Sequence, residues 1–208
     1  MALLYALLGL AISSFLNVCI DRLPEGKSIV SPPSHCPYCG RRLAPFDLIP
    51  VLSYVLLKGR CRYCGAPIPR RILVVESITG LLFVLLWYRY GLSLQLVLAT
   101  LYTCFFIVIF FIDLEHHLVL NRVILPAIVV ALLAVPFTPN HSVVELLSGG
   151  AIGFGVLFLI AWIYPAGMGM GDVKLAAFIG LVVGFPSVFA ALLFSFVVGG
   201  LVGGGLLL

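Results

Sequence analysis

Charge is what this sequence has least of. Only 10% of its 208 residues are Asp, Glu, Lys or Arg, against roughly 25% in soluble domains. Nothing charged follows Lys174. That scarcity excludes an ordinary water-soluble globular domain and marks a membrane protein. The sequence also lacks an internal repeat, a Gly-rich dinucleotide-type fingerprint and a positively charged n-region before its first apolar run. The last absence argues against a cleaved signal peptide, so the first segment reads as an anchor.

What is present is a series of apolar runs, several long enough to cross a bilayer, for which about 20 residues are needed. Residues 1–20 and 94–112 are uncharged, as is 146–164. Residues 72–87 are apolar except for Glu76, and 123–137 is a shorter run interrupted by Pro126 and Pro136. The stretch 175–208 is too long for one crossing and carries a turn signal at Gly184-Phe185-Pro186-Ser187, so it predicts a helical hairpin. Seven transmembrane helices are expected, an all-α polytopic fold. Its parts are a first helix over 1–20, a polar loop over 21–71 and a helical bundle over 72–208.

Cationic loops stay in the cytoplasm. Eleven of the twelve Lys and Arg fall in one set of alternate loops, and Arg89 stands alone in the other. The expected topology puts the N-terminus outside and 21–71, 113–122 and 165–174 in the cytoplasm. The net charge of +4 is then explained by anionic lipid headgroups, and nucleic acid need not be invoked.

Four of six cysteines lie in the polar loop as HCPYCG and RCRYCG, giving Cys36-x2-Cys39 and Cys61-x2-Cys64. Two such knuckles bring four thiolates around one tetrahedral Zn²⁺, and Gly40 and Gly65 permit the turns that aim the sulfurs inward. A disulfide pair is the alternative, disfavoured in a reducing compartment. A four-sulfur site has no open position for water, so this metal is expected to organise the loop and not to hydrolyse anything. Cys19 and Cys104 read as small buried hydrophobes.

Ionisable groups at membrane depth invite a functional reading. Asp113 closes the run 94–112. Asp172 opens a helix after the run Gly167-Met168-Gly169-Met170-Gly171. From Asp172 to Pro186 is about 15 residues, roughly 22 Å of helix, short of the ~30 Å hydrocarbon core. Asp172 is therefore expected below the membrane surface. Two carboxylates near one another can share a proton, one acting as base and its partner as acid. Glycines there allow a substrate backbone to approach. Other readings stay open: glycines for helix packing, Asp172 paired with Lys174, and Asp113 marking a helix end. Glu76 most simply pairs with Arg70 or Arg71. His116 and His117 read as interfacial.

SFLNVCIDRLP, the CPYC and CRYC knuckles, RRILVVESITGLLF, FIDLEHHLVLNRVILP and GMGMGDVKLAAFIG together resemble the type IV prepilin peptidases, also called leader peptidase/N-methyltransferases. The GxGD signature is Gly169-Met170-Gly171-Asp172, a pattern shared with presenilin-like proteases. The resemblance implies that Asp113 and Asp172 are the aspartyl protease pair. It implies as substrate a prepilin or pseudopilin, cut at the cytoplasmic face of the inner membrane. The new N-terminal amine would then be methylated from S-adenosylmethionine. It associates the zinc loop with methyl transfer, with Gly59 and Glu76 as candidate residues, and it implies a further C-terminal helix beyond residue 208. Neither monomer nor homodimer is favoured. A peptidase without methyl transfer and an ion-coupled transporter are the competing classes.

Overall fold

In the computed structural model, which describes residues 1–139, 141–165 and 168–206, the regular structure is helical. The expected apolar runs form α1 (Ala2–Arg22), α3 (Arg70–Tyr90), α4 (Leu94–His116), α5 (Asn121–Ala134), α6 (Val143–Ile163), α7 (Met170–Val183) and α8 (Ser187–Leu206), and a one-turn helix, α2 (Leu52–Leu56), sits in the polar loop. Gly167 and the last two residues of the apolar end, both singled out by sequence, lie outside the described residues.

Four of these helices, α1, α3, α4 and α6, are long and apolar enough to cross a membrane. α5 and α7 have 14 residues each. Pro126 is accommodated within α5, whereas Pro136 falls in the 3-10 turn Val135–Phe137 that follows it. Polar residues set the helix ends. Ser93 caps α4, accepting from the Leu96 N–H. Ser142 and Glu145 form a reciprocal capping box at α6. Gly184 closes α7 with φ +70°, a conformation that L side chains rarely adopt, so the hairpin turn falls where sequence put it.

The chain divides into two compact units, Met1–His117 and Leu118–Leu208. In the first, α1 packs along α3 and both meet α4. The buried ring of Phe83 fits against Gly9, where an added Cβ would lie 2.7 Å from it. Tyr5 stacks obliquely on Phe83 and Trp87, its hydroxyl hydrogen-bonded to Thr100.

In the second unit α6 and α7 are in backbone contact. A Cβ on Gly149 would collide with the carbonyl of Gly180, and one on Gly153 with the carbonyl of Ala176. Lipid gives helices no hydrophobic reason to associate, so close packing of small residues must hold them. α5 and α8 also pack against α7, and Leu157, Ala161, Val173, Ala176, Val188 and Leu192 form a buried cluster. The helix that carries Asp172 is thus fixed on several sides. Gly153→Leu is predicted to destabilise this unit by about 1–3 kcal/mol, the usual range for overpacking. A lowered thermal midpoint in detergent checks it, and an unchanged midpoint contradicts the backbone contact.

Candidate functional site

The polar loop folds as two matching knuckles. In each, the glycine after the second cysteine donates back to the carbonyl of the first: Gly40 to Cys36 and Gly65 to Cys61, both at 2.9 Å. The first cysteine's own N–H bonds across the turn, Cys36 to Arg41 and Cys61 to Ala66. Gly40 and Gly65 have φ of +67° and +73° with nothing near a would-be Cβ, so conformation and not space requires glycine.

This geometry brings the sulfurs of Cys36, Cys39, Cys61 and Cys64 within 4.8 Å of one another, the single such ligand group among the described residues. Cys36 and Cys64 Sγ stand 3.8 Å apart. A disulfide needs about 2.05 Å, whereas a tetrahedron with Zn–S near 2.3 Å has edges of ~3.8 Å. All six cysteines are unbridged. Desolvation would raise the Cys36 thiol, but N–H donors of Cys39 and Tyr38 and the neighbouring thiols bring it down to about 7. At Cys64 the Ala66 N–H lowers the thiol, yet desolvation and the thiols of Cys61, Cys39 and Cys36 push it up to about 12. Four thiolates coexist here only with a dication to neutralise them, and a soft-ligand tetrahedron fits Zn²⁺.

Asp47 braces the module, a residue sequence reasoning missed. Its carboxylate, 3% exposed, accepts from Arg62 Nε at 2.7 Å, the Tyr63 hydroxyl at 3.0 Å and the Ala44 N–H at 3.2 Å. Desolvation would raise this carboxyl, but these donors hold it below the usual range. Arg62 also covers Phe46, and Arg41 covers Tyr63. Gly59 has φ +67°, and a Cβ there would sit 2.9 Å from the Tyr54 hydroxyl, so its place in the loop is conformational.

Glu76 corrects an expectation. It does not pair with Arg70 or Arg71. It is 6% exposed and accepts the Val51 N–H at 2.7 Å. Val51 has φ +63°, unusual for a β-branched residue, and begins α2. The buried carboxylate therefore holds a strained loop residue against α3. Arg71 instead bridges Asp21 and Glu115, joining the ends of α1 and α4 to the start of α3.

Asp113 is exposed in the last turn of α4, where its carbonyl accepts the His117 N–H at 2.8 Å. His117 ends the helix in the left-handed region. Asp172 is exposed in the first turn of α7. A Cβ on Gly169 would come 3.6 Å from its Oδ2, and one on Gly171 would press to 2.8 Å from Val119 Cβ. Lys174 donates to Asn121 Oδ1 at 2.7 Å. The turn bearing Asp172 is therefore seated on segment 119–121. Cys19 is buried and Cys104 half-buried, as expected of small hydrophobes.

Among known proteins, residues 7–90 match the bacterial Peptidase A24 N-terminal domain and residues 100–204 the type IV leader peptidase family. The chain is 38% identical over 198 residues to the prepilin leader peptidase/N-methyltransferase of Bacillus subtilis strain 168, covering 94% of this chain and 79% of that protein. It is 37% identical to the protein of the same name from Myxococcus xanthus, over 94% of this chain and 60% of the relative. The corresponding Pseudomonas aeruginosa protein is 32% identical, with coverage of 95% and 78%. No solved structure matches the chain.

Two outcomes are predicted. Wild-type protein should bind one Zn²⁺ and release it as pH falls, because protons compete for the thiolates. The Asp47 contribution works in the same direction: it is present above the ordinary carboxylate pKa of about 3.9 and lost as pH falls through its lowered folded value. Metal analysis of the Cys36→Ser, Cys39→Ser double variant should show no zinc, and a retained equivalent contradicts the site. Glu76→Leu should leave the Val51 N–H unsatisfied at about 1–3 kcal/mol and expose residues 49–58 to protease. Unchanged digestion there contradicts the brace.

Proposed function

The chain belongs to the type IV leader peptidase family, and on that premise we propose that it is a bifunctional enzyme of prepilins or pseudopilins. It cleaves the leader with Asp113 and Asp172 and methylates the amine that cleavage exposes. The observation that carries the aspartate assignment is the match of residues 100–204, which hold both Asp113 and Asp172, to the type IV leader peptidase family. Gly171, lacking a Cβ, lets the first turn of α7, which bears Asp172, rest on Val119. Gly169 keeps the space beside the Asp172 carboxylate clear for a substrate backbone.

One carboxylate, ionised, takes a proton from water as its oxygen attacks the scissile carbonyl carbon. The other, protonated, hydrogen-bonds the carbonyl oxygen. Collapse of the tetrahedral adduct breaks the C–N bond, and a proton passes to the leaving amine. The products are the free leader and a mature chain with a new N-terminus.

We place the protein in the inner membrane as a multi-pass chain, with the N-terminus outside and the knuckles, Asp113 and Asp172 on the cytoplasmic side. The asymmetry of Lys and Arg supports this orientation. Zn²⁺ held by Cys36, Cys39, Cys61 and Cys64 orders the loop, and S-adenosylmethionine, when bound, supplies the methyl group. Asp113→Asn and Asp172→Asn are each predicted to lower leader cleavage in membranes by at least about 100-fold with zinc content unchanged. Near-normal cleavage by either variant contradicts the two-carboxylate mechanism.

A further inference from the structure

Residues 48–57 of the knuckle loop carry no charge, and most of them are Leu, Ile or Val. An apolar run of that length is too short to cross a bilayer and suits a re-entrant or interfacial segment. α2 lies within it, and its side chains are sorted. Ser53 and Tyr54 are half-buried, the Tyr54 hydroxyl donating to the Ile68 carbonyl at 3.5 Å. Leu52, Val55 and Leu56 face away from the protein, 61%, 60% and 78% exposed, and Ile49 is exposed just before them.

The contact with Glu76 fixes where this apolar face lies. α3 is long and apolar enough to cross a membrane. Near its start Arg71 bridges Asp21 and Glu115, and this charged group marks the level at which α1, α3 and α4 leave the hydrocarbon. Glu76 lies further into α3, roughly 7.5 Å beyond Arg71 at about 1.5 Å per residue. Side chains lean toward the start of their helix by less than that distance, so the carboxylate stays on the membrane side of Arg71. It accepts the Val51 N–H, and α2 therefore starts at that depth. Interfacial helices bury their apolar face by about 5–10 Å. We infer that residues 48–57 dip into the bilayer beside α3, with Leu52, Val55 and Leu56 against lipid acyl chains.

A segment at that depth has to satisfy its own backbone. The N–H groups of Ser53, Val55 and Leu57 return to the carbonyls four residues earlier, and those of Lys58, Gly59 and Arg60 close the following turn on Val55, Tyr54 and Leu57. Pro50 has no N–H to satisfy, and Glu76 takes the one that Val51 presents. Glu76 is thus the anchor that keeps the segment at membrane depth. Lys58 and Arg60, both exposed, follow the apolar run directly, where anionic headgroups complement them. The same cations disfavour a second copy of the chain as the cover, because a symmetric contact would bring like charges together.

The test is fluorescence quenching by lipids brominated in their acyl chains, with the whole chain in nanodiscs. Its two tryptophans are first replaced, Trp87→Phe and Trp162→Phe, and Leu56→Trp then supplies the reporter. Tyr38→Trp in the same background is the control, since Tyr38 is an exposed residue of the first knuckle. Leu56→Trp is expected to lose most of its emission in brominated lipid, and Tyr38→Trp to keep it. An unquenched Leu56→Trp overturns the inference: red-shifted emission would put the side chain in water, and blue-shifted emission would put a second copy or another protein surface over it. Wild type gives a readout that no substitution can disturb. On photolysis with a lipid carrying a diazirine in its acyl chain, label on residues 48–57 supports the insertion, and label on α3 with none on 48–57 overturns it.

Discussion

Every N–H and C=O of a chain crossing hydrocarbon must find its partner inside the protein, and this requirement shapes the rest of the structure. It makes the spanning segments helical, since a helix meets its own backbone demand. It also strips them of charge, so that the eight acidic residues fall at helix ends and in loops, with Glu76 the one set a turn and a half inside an apolar helix. Function is left to the few polar groups that remain. α6 and α7 then have no hydrophobic force to join them and rely on Gly149, Gly153 and Gly180 for backbone contact. Asp172 inherits its fixed position from that contact.

The polar loop meets a different constraint. It is too short and too polar to bury a core of its own, and many of its apolar side chains, such as Leu52, Val55 and Leu56, stay exposed. Four converging sulfurs, a group that could hold a metal ion, stand where a core would be. Asp47 ties the segment between the knuckles to the second of them, and Glu76 ties the start of α2 to α3. The loop is thereby held by α3 on one side and by the sulfur cluster on the other.

Much of this was legible in the residues. Apolar runs with Pro and Gly at their ends gave helix positions within a few residues, because length and hydropathy decide membrane helices almost alone. The CxxC spacing predicted the sulfur cluster, since two knuckles leave little freedom in how thiols converge. The partner of Glu76 was not legible. Nearby arginines suggested an ion pair, but a backbone amide 25 positions earlier, at Val51, takes the carboxylate, and spacing carries no trace of that. Asp47 was passed over for the same reason: its role arises from tertiary placement. The glycines before Asp172 were read as room for substrate. Packing was the other reading the same residues allowed, and Gly171 lies against Val119.

The two reactions named for the relatives act on one substrate. The second unit carries Asp172 on a helix packed on several sides, and the first carries Asp113 and the four-cysteine cluster. Cleavage creates the amine that methyl transfer consumes, so the order of the reactions is fixed by chemistry. The most direct measurement is intact-mass analysis of a purified prepilin after incubation with the purified protein and isotopically labelled S-adenosylmethionine. The account predicts a product that has lost its leader and gained one labelled methyl group at its new N-terminus. A prepilin of unchanged mass contradicts it.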